Sequence, residues 1–262
     1  MPATIPTTFF GWVSFLLDKY GVLFLQGVGV TLKVALSGTI LGFLLGLLVA
    51  IVRTIPISRS DPWYKRFPLH FVHWLLGVYI EVFRGTPMIV QSMVIYYGSM
   101  SIGIRMPVMV AAIFIVSINT GAYMAEIIRG GIISVDKGQK EAATAIGMTH
   151  WQSMTGVVLP QAVRNIMPSI GNEFVVNIKD SSVLNVISVG ELFFMSKSAA
   201  GTYLRYFEVF FITACIYLVL TFTVTRILRL LEKKMDGKGS YTICGSQSDS
   251  QSTITVPGGK EA

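Results

Sequence analysis

"EAATAIGMTHWQSMTGVVLP", residues 141–160, has apolar positions at helical spacing, one formal charge at Glu141 and a closing proline at Pro160. It reads as a short amphipathic helix of soluble character. The chain around it is composed for lipid. Of its 262 residues 52% are hydrophobic and 13% charged, and the mean hydropathy is +0.63. A soluble domain carries about 25% charged residues. A membrane chain keeps such a helix in a loop only if something outside the bilayer needs it.

Crossing the hydrocarbon core takes ~20 mainly apolar residues. Residues 28–52, 72–97, 108–128 and 209–230 meet that length. Residues 163–192 are long enough but are interrupted by Pro168, Gly171, Glu173, Lys179 and Asp180. The sequence therefore predicts an all-α integral membrane protein with about five transmembrane helices. Basic residues cluster after the first, third and fifth spans: Arg53, Arg59, Lys65 and Arg66; Arg129, Lys137 and Lys140; Arg226, Arg229, Lys233, Lys234 and Lys238. The intervening loops have only Arg105, and Lys197 with Arg205. By the positive-inside rule the N-terminus is outside, the C-terminus is cytoplasmic, and residues 141–160 lie in a cytoplasmic loop. The same loops account for the net charge of +7 without invoking nucleic acid. Residues 1–27 are expected as an extracytoplasmic segment, 28–234 as the transmembrane domain, and the Gly/Ser/Thr-rich 235–262 as a disordered cytoplasmic tail. No signal peptide is expected, since the N-terminus lacks a basic start followed by an apolar core. Cys215 and Cys244 cannot make a disulfide framework.

Catalytic signatures are missing. No G-x-x-x-x-G-K-[ST] loop is present to hold ATP, and no G-x-S-x-G. His70 and His73 stand one turn apart without an acidic or cysteine neighbour, so packed or interfacial histidines are expected rather than a metal site. Gly38, Gly42, Gly46 and Ala50 form a small-residue stripe that predicts close helix packing within the chain.

Polar residues at membrane depth are costly and draw attention as functional candidates. In the second span Glu81 and Arg84 share a helical face as an expected ion pair. Gly85, Thr86 and Pro87 are expected to break or bend the helix. Gln91, higher in the span, is placed to touch a polar solute. In the third span Asn119 and Tyr123 suit either a solute or interhelical bonding, whereas Glu126 with Arg129 reads as structural. The interrupted fourth span offers Glu173, Asn177, Asp180 and Ser181, on a helix expected to be broken by Pro168 and Gly171. Lys179 and Asp180 could simply pair with each other.

With these residues in view, the chain resembles the permease subunits of bacterial ABC importers. Residues 141–160 are similar to their signature loop, E-A-A-x-x-x-G followed after nine residues by I-x-L-P, with Val157 in place of the isoleucine. "EVFRGTP", "GAYMAEIIRGGI", "KGQKEAA" and "LPQAVRNIMPSIGNEFVVNIKDSSVLNVISVGEL" narrow the resemblance to the polar amino acid uptake family, over about residues 27–234. It implies a type I importer permease fold whose signature loop is a coupling helix docked on a separate ABC ATPase subunit. Glu141, Ala142, Ala143, Gly147, Met148, Leu159 and Pro160 would form that contact, with Met148, Trp151 and Val157 anchoring the helix to the membrane helices. Few basic residues on the loop argue against a helix lying in headgroups.

The resemblance further implies a second permease subunit (homodimer or heterodimer), an extracytoplasmic amino acid-binding protein and the lipid bilayer as partners. The chain itself would hold no cofactor, ATP and Mg being held by the ATPase. The substrate class is a polar amino acid (glutamine, glutamate, arginine, lysine or histidine), and Glu173 alone does not choose among them. A non-transporting scaffold or receptor subunit is the alternative. A self-sufficient secondary transporter is weaker still, because the five spans show no internal repeat.

Overall fold

The computed structural model describes residues 6–55, 57 and 62–235. The expected disordered tail, from residue 236 on, lies outside them, as does Arg59. The described residues form α-helices with short 3-10 and π segments and no strand. In chain order the helices are α1 (Phe9–Arg53), α2 (Trp63–Gly85), α3 (Met88–Ser101), α4 (Val108–Ser134), α5 (Lys137–Ala145), α6 (His150–Ser153), α7 (Leu159–Asp180), α8 (Leu192–Tyr203) and α9 (Tyr206–Met235).

Among the described residues α1, α4 and α9 are long and apolar enough to cross a membrane. A fourth candidate is a bent pair, His150–Ile187 with Leu192–Tyr203, at 55°. The expected second crossing is divided: α2 ends at Gly85 and α3 begins at Met88. Thr86 there is extended (φ −122°, ψ 146°), as the ring of the following Pro87 requires.

The small-residue stripe builds the principal interface. Gly38, Gly42, Gly46 and Ala50 are buried on α1 and face α4. A Cβ added to Gly38, Gly42 or Gly46 would come within 2.4 Å of Val116, 2.7 Å of Thr120 or 2.5 Å of Met124. The two helices therefore meet nearly backbone to backbone, as in lipid, where dispersion contacts replace the hydrophobic driving force. At the basic end Glu126 of α4 accepts from Arg53 of α1 at 2.8 Å and from Arg129 at 2.8 Å. The structural pair read from sequence is thus a three-residue clamp that also ties α1 to α4.

One segment gains a defined structure here, and one expectation changes. α1 runs unbroken through position 27 and back to Phe9, so 9–27 is helical and continuous with the first span. At ~1.5 Å per residue α1 is longer than the ~30 Å hydrocarbon core. Its first half packs through Trp12, Leu16 and Phe24 on α8 and α9. The fourth span, in turn, is not broken at Pro168 or Gly171; α7 passes through both. Proline removes one backbone donor, and Gly171 leaves room for Leu228 of α9, 3.3 Å from where its Cβ would stand. The break comes later, in the 3-10 turn Ser181–Ile187, which ends on Ser188 in the left-handed region (φ 64°).

If the α1–α4 contact holds the bundle, Gly42→Ala will overpack it and cost about 1–3 kcal/mol. Gly29→Ala, on the same helix with nothing within 4 Å, will be neutral or slightly stabilising. Thermal unfolding of the two variants in detergent checks this, and equal midpoints would contradict it.

Candidate functional site

The loop quoted at the outset folds as a compact unit. Asp136 caps α5 by accepting from the Gly138 N–H at 2.6 Å. α5 ends where Gly147 turns left-handed (φ +84°), with its N–H on the Thr144 carbonyl at 3.0 Å. Nothing lies within 4 Å of a Cβ added to Gly147, so glycine is needed for backbone angle rather than for room. Thr149 and Gln152 then form a capping box that starts α6. A π turn, Met154–Val158, leads straight into α7. Pro160 does not end a helix, as the sequence led one to expect, but sits in the first turn of α7. The widened turn just before it accommodates a residue that has no N–H and whose ring crowds the preceding carbonyls.

The faces of this unit are sharply divided. Ala143 is buried, and the Met148 methyl lies where a Cβ on Gly156 would be 3.5 Å away. Met154 and Val158 pack with Val135 and Ala162, joining the loop to the ends of α4 and α7. Gly131 of α4 approaches α7 so closely that a Cβ would fall 2.2 Å from Ile166. Glu141 and Ala142 point outward, Leu159 is half-buried and Pro160 exposed. Lys140, Glu141, Thr144 and Ala145 line an open surface hollow. Ile146 is 79% exposed and Trp151 61%. Trp151 is therefore not an anchor to the membrane helices; Met154 and Val158, which sequence reasoning passed over, do that. Val157 is only half-buried.

The polar residues at depth separate into two sets. Gln91 and Asn119 work on the α2–α3 break. Gln91 Nε2 donates to the Phe83 and Thr86 carbonyls, both at 2.9 Å, satisfying groups that the end of α2 leaves orphaned. Asn119 Nδ2 donates to Gln91 Oε1 at 2.8 Å. Asn177 Nδ2 donates to Thr39 Oγ1 at 2.8 Å and Thr120 Oγ1 at 3.0 Å, linking α7, α1 and α4. Ser181 is buried, and its hydroxyl donates to the Ile178 carbonyl at 2.9 Å. These four side chains are committed inside the protein.

Tyr123 and Glu173 are half-buried and Asp180 exposed. Glu173 and Asp180, seven apart, share one face of α7. The expected Glu81–Arg84 ion pair is not formed: both side chains are exposed, and the Arg84 guanidinium lies 5.5 Å from the Tyr123 ring centre, an alternative that desolvates neither charge. Lys179 and Asp180 likewise make no ion pair among the described residues. His73 Nε2 meets the Val52 carbonyl at 2.9 Å and ties α2 to α1.

Sequence reasoning also missed Glu191. It is wholly buried and caps α8, its carboxylate accepting from the N–H groups of Phe193 (2.8 Å) and Phe194 (2.7 Å) and from the Tyr217 hydroxyl (3.1 Å). An acidic residue just before an apolar run was the available signal. Gly27, whose Cβ would fall 2.8 Å from Leu192 Cα, and Thr31, whose Oγ1 accepts from the Leu192 N–H, lock α1 against this turn.

This architecture and the signature loop coincide with a match over residues 63–237 to the family described as binding-protein-dependent transport system inner membrane component. The chain belongs to this family. The permease is 35% identical over 212 residues to the arginine transport system permease protein ArtQ of Bacillus subtilis, covering 80% of this chain and 91% of the relative. It is 35% identical over 219 residues to the glutamine transport system permease protein GlnP of Escherichia coli K12, covering 81% and 93%. A crystal structure of an amino acid ABC transporter with histidines superposes with a TM-score of 0.75 and 37% identity, over 88% of this chain and all of that one. The resemblance to polar amino acid permeases therefore holds across nearly the whole membrane domain.

The division of polar residues predicts that Asn177→Ala destabilises the permease by about 1–3 kcal/mol, because it strands buried partners on two helices. The unfolding midpoint measures it. An unchanged midpoint would show that Asn177 is not a structural link.

Proposed function

We propose that this permease is the membrane-spanning subunit of an ATP-driven importer that carries a polar amino acid into the cytoplasm. The observation that carries the reading is the two-sided coupling unit. One side buries Ala143 within the loop and packs Met154 and Val158 onto the ends of α4 and α7. The other presents Glu141, Ala142 and Ile146 to the outside. A partner pressing on the outer side moves two membrane helices as one body. That partner would be an ABC ATPase subunit, which holds ATP and Mg; the chain carries no P-loop of its own. ATP binding and hydrolysis there would supply the free energy for switching between outward- and inward-open states, so the solute need bind the two states only slightly differently. A second permease subunit and an extracytoplasmic binding protein complete the assembly.

The solute path is narrower than sequence alone implied. Gln91, Asn119, Asn177 and Ser181 are spent on internal bonds. Glu173, Asp180 and Tyr123, with Arg84 beside it, remain available. Two carboxylates on one face of α7 suit the α-ammonium of any amino acid and the side chain of a cationic one. The arginine and histidine in the names of the relatives agree with that chemistry, and the glutamine in another agrees with the α-ammonium alone.

Glu141→Arg will weaken co-purification with the cognate ATPase at least about tenfold, since a reversed charge at a docking face is strongly penalised, while the permease stays folded. Undiminished co-purification and substrate-stimulated ATP hydrolysis would remove Glu141 from the contact, whereas a wild-type chain that binds the ATPase without any solute-stimulated hydrolysis or uptake would favour a non-transporting scaffold. In reconstituted vesicles Glu173→Gln will slow uptake of a cationic amino acid more than of a neutral one, because an amide still accepts a hydrogen bond but no longer neutralises charge. Wild-type uptake of both solutes by Glu173→Gln and Glu173→Ala would exclude the carboxylate from the path.

A further inference from the structure

α7 and α9 pack antiparallel, Gly171 lying against Leu228 while Lys179 is level with Thr221 and Phe222. On their outer side they leave a groove of about 360 Å³. Lys179 of α7 and Arg226 and Arg229 of α9 line it, with Leu218 and Phe222 at its deeper end and no acidic residue. Thr221 and Thr225 also line it, but their hydroxyls donate back to the Tyr217 and Thr221 carbonyls of α9. Among the described residues no carboxylate is within ion-pair distance of the three cations. The acid nearest along the helix, Glu232, lines the adjoining stretch instead.

Three like charges lining one groove between membrane helices repel one another and are costly without a counter-charge. The groove is also amphipathic. Arg226 and Arg229 lie towards the basic end of α9, whereas Leu218, 68% exposed, belongs to its bare apolar face together with Val219 and Phe222. Lys179 can lay its methylene stem along that apolar lining and bring its ammonium to the arginines. The missing occupant therefore has an anion at one end and hydrocarbon at the other.

We propose that this groove binds an anionic phospholipid, its phosphate held by Arg226, Arg229 and Lys179 and an acyl chain lying along Leu218 and Phe222. Guanidinium forks match phosphate oxygens in pairs. Basic pockets between membrane helices on the cytoplasmic side are suited to such headgroups. The proposal rests on the reading that the basic end of α9 lies at the cytoplasmic surface, and not on which solute is carried.

The test uses the full-length chain in nanodiscs of phosphatidylcholine with or without phosphatidylglycerol, with bound lipid read by native mass spectrometry after release. Wild type should retain phosphatidylglycerol in preference to phosphatidylcholine. Arg226→Gln with Arg229→Gln should lower that retention about tenfold, and Lys179→Gln alone should lower it less. Lys233→Gln with Lys234→Gln removes as much charge from the same helix outside the groove and should leave retention unchanged. The groove is not a lipid site if the two lipids are retained equally, if the Lys233/Lys234 variant loses as much as the groove variant, or if inorganic phosphate displaces the lipid. Cross-linking of Phe222→Cys between two copies of the chain would show that a second subunit covers the groove, and would equally overturn the proposal. If the double arginine variant does not fold, Lys179→Gln decides: unchanged retention there rejects the site.

Discussion

α1 and α4 touch where Gly38, Gly42 and Gly46 leave no side chain between the backbones, and the rest of the bundle is arranged around that contact. In lipid two helices gain little by hiding apolar surface from each other, so close approach and interlocking shape must hold them. The contact fixes the rotation of α4 relative to α1, which sets the other interfaces of α4. Asn119 is brought to Gln91, Thr120 to Asn177, and Glu126 to Arg53.

Those polar contacts answer a second demand of the bilayer, that backbone groups freed by a break find partners inside the protein. The Thr86–Pro87 break leaves carbonyls at the end of α2, and Gln91 and Asn119 meet them. The 3-10 turn after Asp180 leaves donors at the start of α8, and Glu191 meets them. Each break is thus paired with a buried polar side chain, and such side chains are expensive to change even though they touch no solute. Among the described residues Glu173 and Asp180 have no comparable protein partner, which is why the proposed solute path is drawn through them.

The loop between α4 and α7 is built with the same economy. Its inner side joins α4 and α7 through Val135, Met154, Val158 and Ala162, and the contact of Gly131 with Ile166 continues the joint into the membrane. Force applied at α5 has a short, well-packed route to the helix that carries Glu173. In the proposed importer that route is what converts a movement of the ATPase into a movement of the solute path.

The helical membrane class, the stripe that packs, the break at Pro87 and the outward charge at Glu141 were all legible in the chain. Each of these follows from local chemistry: apolar run length, absence of a side chain, a ring that forbids a helical neighbour, and a lone charge on an amphipathic loop. Which polar residues are free depends on how the helices pack. Asn177 and Glu173, one turn apart on α7, were both candidates for the solute path, Glu173 foremost, but Asn177 is turned towards Thr39 and Thr120 and Glu173 is not. Arg84 was assigned to Glu81 by spacing and instead lies over Tyr123, because the side chains it can reach depend on how α2 lies against α4. Pro168 and Gly171 looked like breakers, yet α7 passes through them, since packing against α9 outweighs the local cost of one lost donor and one flexible residue. Partner choice is a property of how helices are placed against one another, and no short-range pattern along one helix records it.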